Sequence, residues 1–127
     1  MKFLWTTINV KDMESSLKFY KEVVGLTVDR TMKPNENMQI AFLGSGETKV
    51  ELIYDGANRN RSYSNDICMG FEVESLEATM ELLKRKGIKV EGGVFQPNPM
   101  IKFIYVLDPN GMRVQFVENI KKSSRTE

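Results

Sequence analysis

The side chains that could carry out chemistry in this chain are limited by the complete absence of histidine. Without histidine, an imidazole base, a serine–histidine nucleophile and a histidine-ligated metal are excluded. A reaction would have to use carboxylates, tyrosine, lysine, a bound cofactor or Cys68, the single cysteine. One cysteine also excludes an internal disulfide.

Five residues are candidates for a functional site: Trp5, Glu51, Cys68, Arg113 and Gln115. Trp5 could be a stacking platform for a planar or cationic ligand, or a packing residue. Glu51 is a candidate general base. Its alternative role is structural, as a carboxylate that pairs with Arg113 or is hydrogen-bonded to Gln115. Cys68 could be a reactive thiol or a small inert residue of a cleft.

Length and composition fit one globular domain of 127 residues. Eighteen Lys and Arg residues against seventeen Asp and Glu leave a net charge of +1, which predicts neither a nucleic-acid nor a membrane partner. The apolar runs are far shorter than a membrane-spanning helix. The first residues lack the pattern of a secretory signal, so we expect a cytoplasmic protein.

The first half of the chain predicts the element order β-α-β-β-β. Residues 3–10 are rich in β-branched and aromatic types, which favours a strand. Asp12 can cap a helix that ends before Gly25. The apolar stripe of this helix consists of Met13, Leu17, Tyr20 and Val24. Strands are then expected at 26–32, 38–43 and 49–54, with a hairpin turn at 44–46.

The second half repeats this order after a polar, turn-rich linker at 57–66. A strand is expected at 67–73, and Ser75 can cap a helix that ends at Gly87. The apolar residues of this helix are Leu76, Met80 and Leu83. Further strands are expected near 88–94, 101–107 and 112–117, with a turn at Asp108-Pro109-Asn110-Gly111.

A nearly constant offset relates the two halves. The offset is 63 residues from Tyr20 to Leu83 and 62 residues from Gly25 to Gly87. One supersecondary unit is therefore used twice, and the two sheets could enclose a shared cleft. Because successive strand residues point to opposite faces, all five candidates are predicted to face that cleft, away from the helices. The repeat relates Trp5 to Cys68 and Glu51 to Gln115.

Several segments resemble the glyoxalase / bleomycin-resistance / extradiol-dioxygenase superfamily, the vicinal oxygen chelate proteins. The resemblance covers about residues 1–119. It rests on Val10-Lys11-Asp12, Phe19-Tyr20, Val24-Gly25-Leu26, Val50-Glu51-Leu52 and Asp108-Pro109-Asn110-Gly111 followed by Val114-Gln115-Phe116-Val117-Glu118. It implies an α+β fold of two βαβββ modules related by a pseudo-twofold and paired into an eight-stranded incomplete barrel around a cleft.

The domain boundaries implied by this resemblance are a single domain at 1–120 and a polar tail at 121–127. Within it, module one is expected at 1–56, the linker at 57–66 and module two at 67–120. Proteins of this superfamily commonly complete their sheets or clefts across a twofold axis, so a homodimer is expected.

The resemblance also implies four metal-ligand positions, which carry His or Glu in members similar to glyoxalase I. Here they fall on Trp5, Glu51, Cys68 and Gln115, and only Glu51 keeps a usual ligand type. An indole is a hydrogen-bond donor only, and an amide oxygen is a neutral ligand. We therefore expect no cofactor, with a divalent metal as the alternative.

The expected function is metal-free binding of a small organic ligand in the cleft. One alternative is a metal-dependent lyase, dioxygenase or thiol transferase of the same superfamily. The other is a regulatory or assembly domain with a vestigial cleft.

Overall fold

The computed structural model describes residues 1–46, 48–58, 60–63 and 66–120. The chain forms two compact units, Met1–Tyr63 and Ser64–Glu127, called unit one and unit two below. Each unit has the order β-α-β-β-β, which confirms the predicted α+β class and the repeated module. Part of the predicted linker and the predicted tail lie outside the described residues.

Unit one is a four-stranded mixed sheet with a helix on one face. Its elements are β1 (Trp5–Val10), α1 (Met13–Lys18), a π-helical turn (Phe19–Val23), β2 (Val28–Asn35), β3 (Met38–Leu43) and β4 (Lys49–Asp55). The strand order is β1-β4-β3-β2. Strand β1 runs parallel to β4, and the other pairs are antiparallel.

The core of unit one lies between the helix and one face of the sheet. Asp12 caps α1 as predicted, and its carboxylate accepts a hydrogen bond from the Ser15 N–H at 2.9 Å. The buried apolar residues include Ile8, Val10, Tyr20, Ala41, Leu43, Val50 and Leu52. Leu4 precedes β1 and is exposed, although its carbonyl accepts a hydrogen bond from the Lys49 N–H at 3.0 Å.

The π-helical turn Phe19–Val23 accounts for the change of repeat offset from 63 to 62. Tyr20 and Leu83 are corresponding, fully buried residues. Five steps of chain lead from Tyr20 to Gly25, whereas four lead from Leu83 to Gly87. The hydrogen bond that closes the helix accordingly spans six residues in unit one and five in unit two. A one-residue insertion in a helix is commonly absorbed as a π turn. The helical segment of each unit can therefore still end before a glycine.

Unit two repeats the arrangement of a sheet with one helix. Its elements are β5 (Cys68–Glu72), α2 (Leu76–Arg85), β6 (Glu91–Asn98), β7 (Ile101–Leu107) and β8 (Arg113–Asn119). The strand order is β5-β8-β7-β6, with β5 parallel to β8. Buried side chains beneath α2 include Ile104, Val106, Val114 and Phe116. None of the described helices has the length and apolar character needed to span a bilayer.

Both ends of α2 are satisfied by specific hydrogen bonds. At the start, Ser75 accepts from the Ala78 N–H at 3.1 Å, as predicted. The Glu118 carboxylate of β8 accepts from the Leu76 N–H at 2.8 Å, which ties the helix to the sheet. At the other end Gly87 adopts a φ of +70°, a conformation that favours glycine and lets the chain reverse.

The predicted turn at Asp108-Pro109-Asn110-Gly111 forms between β7 and β8. Its Gly111 N–H donates to the Asp108 carbonyl at 3.0 Å. The Asp108 carboxylate is buried and accepts from the backbone N–H groups of Asn110 and Met112, both at 2.8 Å. These bonds replace the water that a carboxylate loses on burial.

Replacing Asp108 with alanine should therefore lower the free energy of unfolding by about 2–3 kcal/mol, because two backbone donors lose a charged acceptor. Asp55→Ala is the matched control, since the Asp55 carboxylate accepts a single exposed hydrogen bond from the described residues, from the Ala57 N–H at 3.0 Å. Its loss should cost less than about 1 kcal/mol. Urea unfolding followed by circular dichroism measures both, and equal losses would contradict the assignment.

Candidate functional site

The sheet face turned away from the helix carries the candidate residues of unit one, and we call it the open face. Residues directly opposite one another in paired strands point to the same side. The register places Thr7 opposite Glu51, Glu51 opposite Phe42 and Phe42 opposite Arg30. These four side chains form one row across β1, β4, β3 and β2. Trp5 lies in the next row, opposite Lys49.

Glu51 occupies the centre of this row and is only 9% exposed. Its Oε1 accepts a hydrogen bond from the Thr7 hydroxyl at 2.6 Å. A short bond to a carboxylate is a charge-assisted one and is stronger than a neutral bond. The pairing of β1 with β4 therefore positions both the carboxylate and the donor that stabilises it.

Trp5 reaches across the sheet instead of pointing directly outward. Its ring centroid lies 5.1 Å from that of Phe42 in an edge-to-face arrangement. Because β4 separates β1 from β3, the indole has to cross the face of β4, where Glu51 lies. This position helps to explain why Glu51 is buried. Trp5 itself stays 39% exposed, so one part of the indole remains available for contact.

Arg30 completes the aromatic part of the row. Its guanidinium carbon lies 4.4 Å from the centroid of the Phe42 ring, within the range of a cation–π interaction. Phe42 is thus in contact with both an indole and a guanidinium. The open face of unit one combines an acid, a cation and two aromatic rings.

The open face of unit two has a related arrangement. Cys68 lies opposite Arg113, and Gly70 lies opposite Gln115. Arg113 has its guanidinium carbon 4.2 Å from the centroid of the Tyr105 ring. Gly70 leaves room beside Gln115, since a Cβ at this position would lie 3.2 Å from the amide oxygen and the amide would have to shift slightly.

The aromatic side chains of β6 and β7 extend this face of unit two. Phe95 stacks on Phe103 with centroids 5.7 Å apart, and both rings contact Tyr105 edge to face at 5.7 and 5.6 Å. Phe95 is exposed. Unit two therefore presents an aromatic cluster on the same face as Cys68 and Gln115.

The structure places all five predicted residues on the open face of their own unit. Trp5 and Glu51 are in adjacent rows of unit one, and Cys68, Arg113 and Gln115 are in adjacent rows of unit two. The meeting of both faces in one cleft stays a prediction. Within unit one, Glu51 accepts a hydrogen bond from Thr7, which lies directly opposite it in the register. The alternative role of Glu51, in which it pairs with Arg113 or Gln115, stays a prediction.

The donors at the four family positions do not fit a divalent metal. The indole of Trp5 has no lone pair to offer, and the amide of Gln115 is neutral. Among the described residues, no group of three or more His, Cys, Asp or Glu side chains is arranged to hold a metal. The carboxylate of Glu51 already accepts a bond from Thr7. Zinc normally takes four donors of the thiolate, imidazole and carboxylate types, and these positions supply at most two.

Sequence reasoning missed Thr7, Phe42 and Arg30 in unit one and Phe103 and Tyr105 in unit two. Counting back from the hairpin predicted at 44–46 would bring Phe42 opposite Thr48. The structure instead pairs Leu43 with Val50 and Phe42 with Glu51, so the predicted turn did not reveal this contact. Arg30 could not be found this way, because β2 departs from regular register between Val28 and Arg30.

The sequence profile described as the Glyoxalase/Bleomycin resistance protein/Dioxygenase superfamily matches residues 2–116. A protein named lactoylglutathione lyase from Haemophilus influenzae is 32% identical in an alignment of 130 positions that covers 94% of this chain and 93% of that protein. A protein named probable lactoylglutathione lyase from Synechocystis is 27% identical, with 96% and 98% covered.

Solved structures show the same fold at low sequence identity. A trypanothione-dependent glyoxalase I from Leishmania major has a TM-score of 0.79 and 22% identity, with 93% of this chain and 86% of that chain covered. TnmS3, an antibiotic binding protein from Streptomyces, has a TM-score of 0.71 and 16% identity, with 94% and 96% covered. The fold alone is therefore found in proteins described as an enzyme and as a binding protein.

The Thr7–Glu51 bond makes a direct prediction for stability. Thr7→Val keeps the shape of the side chain but removes the donor, so the free energy of unfolding should fall by about 1–2 kcal/mol. Thr6→Val, on the adjacent residue of the opposite sheet face, is the matched control and should change it by less than about 0.5 kcal/mol. Chemical denaturation measures both. If Thr7→Val leaves the free energy of unfolding unchanged, Glu51 does not depend on this donor.

Proposed function

We propose that this chain, which belongs to the Glyoxalase/Bleomycin resistance protein/Dioxygenase superfamily, binds a small organic ligand on the open face without a metal. The observation that carries this proposal is Trp5. An indole occupies a position where the superfamily resemblance implies a metal ligand, and it lies against Phe42 and across β4. The position therefore offers a ring surface in place of a lone pair.

The ligand surface proposed here is the exposed part of Trp5 together with the aromatic row beside it. An aromatic ligand that stacks on an indole gains about 0.5–1.5 kcal/mol beyond the burial of its area. The contact with Phe42 restricts the indole, so less side-chain entropy has to be lost when the ligand binds. Cys68, Arg113 and Gln115 are proposed to contribute to ligand binding from the open face of unit two.

A second candidate function is lactoylglutathione lyase activity, which the names of the curated relatives favour. In this case Glu51 is the residue that could act as a general base, since it lies on the open face and holds a hydrogen bond through one carboxylate oxygen. The donor chemistry at Trp5 and Gln115 weighs against a metal-dependent form of this reaction. The two candidates differ in metal content and in turnover, and both can be measured.

The binding proposal predicts that planar organic compounds change the fluorescence of Trp5, the only tryptophan of the chain. Neutral, anionic and quaternary-ammonium aromatic compounds should be titrated under excitation selective for tryptophan. Saturable quenching is expected from at least one class, and it should persist after dialysis against a chelator. Metal analysis of the protein purified without added metal should show much less than one equivalent per chain.

Two controls separate binding from catalysis. Trp5→Phe keeps a ring and should remove the signal while calorimetry still detects binding. Glu51→Gln can still accept a bond from Thr7, so it should keep the quenching while it abolishes any lyase turnover. An equivalent of bound metal together with an unresponsive Trp5 would overturn the binding proposal and favour the lyase.

We further propose a homodimer. Strands β2 and β6 each lie at one end of their sheet, and every residue of β2 is exposed. Both strands carry exposed apolar side chains, among them Met32, Val94 and Phe95. Long exposed edge strands with apolar residues tend to pair with another chain.

Sedimentation equilibrium should therefore show twice the mass of one chain, and Phe95→Lys should shift the protein toward the monomer. A wild-type monomer at high protein concentration would contradict the homodimer.

A further inference from the structure

The guanidinium carbon of Arg30 lies over the Phe42 ring, 4.4 Å from its centroid, and the guanidinium takes part in no ion pair or hydrogen bond with a described residue. Its ring partner, Phe42, is 3% exposed, whereas Arg30 lies on an exposed strand. Stacking occupies the flat side of a guanidinium and leaves its in-plane N–H groups to donate. Arg30 therefore offers an oriented, unused set of donors.

Trp5 and Arg30 contact the same ring, that of Phe42. Trp5 lies 5.1 Å and Arg30 4.4 Å from the centre of Phe42, so the two are separated by no more than the sum of these distances. That span suits a compound with one ring and a short chain. Lys49, opposite Trp5, adds a second positive charge to the open face.

The acid of this face does not cancel the charge of Arg30. Glu51 is separated from Arg30 by the residue between them in the row, Phe42. The Thr7 hydroxyl already donates to Glu51. Arg30 thus lies on the exposed strand β2, and the Glu51 carboxylate is buried two strands away on β4.

We propose that the ligand is a planar organic acid whose ring stacks on Trp5 and whose carboxylate accepts two hydrogen bonds from Arg30. A carboxylate matches the fork of a guanidinium, and such pairs are stronger and more directional than neutral hydrogen bonds. This inference rests on the proposed function, since it names the chemical class that the same surface selects. The inference requires that the protein bind an anionic compound more tightly than a neutral compound of the same shape.

Matched pairs of probes test this preference. Benzoate, phenylacetate and 3-phenylpropanoate should each be compared with the corresponding primary amide by calorimetry and by Trp5 fluorescence. At least one acid should bind roughly tenfold more tightly than its amide, in line with a charge-assisted pair. Added salt should weaken the binding of the acid more than that of the amide.

Variants of β2 identify the residue responsible. Arg30→Gln should remove the preference for the acid and leave the affinity of the amide within about twofold. Arg30→Lys keeps the charge without the fork and should retain only part of the preference. Lys33→Gln removes one positive charge from the same strand, beside Met13 and Leu17 of the helix, and should change neither affinity.

The outcomes distinguish this inference from the proposed function. If acids and amides bind equally well, or if the preference for acids survives in Arg30→Gln, the inference is wrong while metal-free binding beside Trp5 still stands. If neither acids, amides nor quaternary-ammonium compounds affect Trp5 or release heat, the proposed function fails and the inference fails with it. If Arg30→Gln does not fold, the acid–amide comparison on the wild-type chain and on Arg30→Lys decides the matter.

Discussion

The parallel pairing of β1 with β4 is the constraint on which the candidate site of unit one depends. It sets Thr7 beside Glu51 and Trp5 beside Lys49. A shift of one residue in either strand would turn the side chains of that strand toward the helix. The buried residues Ile8, Val10, Val50 and Leu52 prevent that shift, since their apolar side chains would then leave the core. The chemistry of one face is thus held in place by the packing of the other.

The same pairing in unit two supports different chemistry on a matching frame. Trp5 lies opposite Lys49 in the sheet of unit one, and Cys68 lies opposite Arg113 in the sheet of unit two. The repeat relates Trp5 to Cys68 and Lys49 to Arg113. Where unit one has the Thr7 hydroxyl against Glu51, unit two has Gly70 against Gln115, and the absent Cβ leaves room for the amide. Side chains on an open face can change without loss of the core, because little of the buried apolar surface depends on them.

Much of this frame could be predicted from the sequence, because it follows from local patterns. Asp12 and Ser75 cap the two helices through bonds within their own turns, and Gly87 ends a helix because it can adopt a positive φ. The π-helical turn was not predicted, although the offset change already showed where the extra residue lies. Arg30 lies beyond an irregularity of β2, and the contacts that decide such a register are between strands, not along the chain.

The order of side chains across the row explains how an acid and a base can share one face without neutralising each other. Glu51 and Arg30 belong to β4 and β2, which are two strand spacings or about 10 Å apart in a sheet. The two side chains form no ion pair with each other in the structure. Phe42 between them binds the cation through its ring, and Thr7 satisfies the acid from the other side. A direct ion pair would have consumed the donors of Arg30. The contact with the ring leaves the N–H groups of Arg30 without an acceptor among the described residues, so they can donate to a ligand.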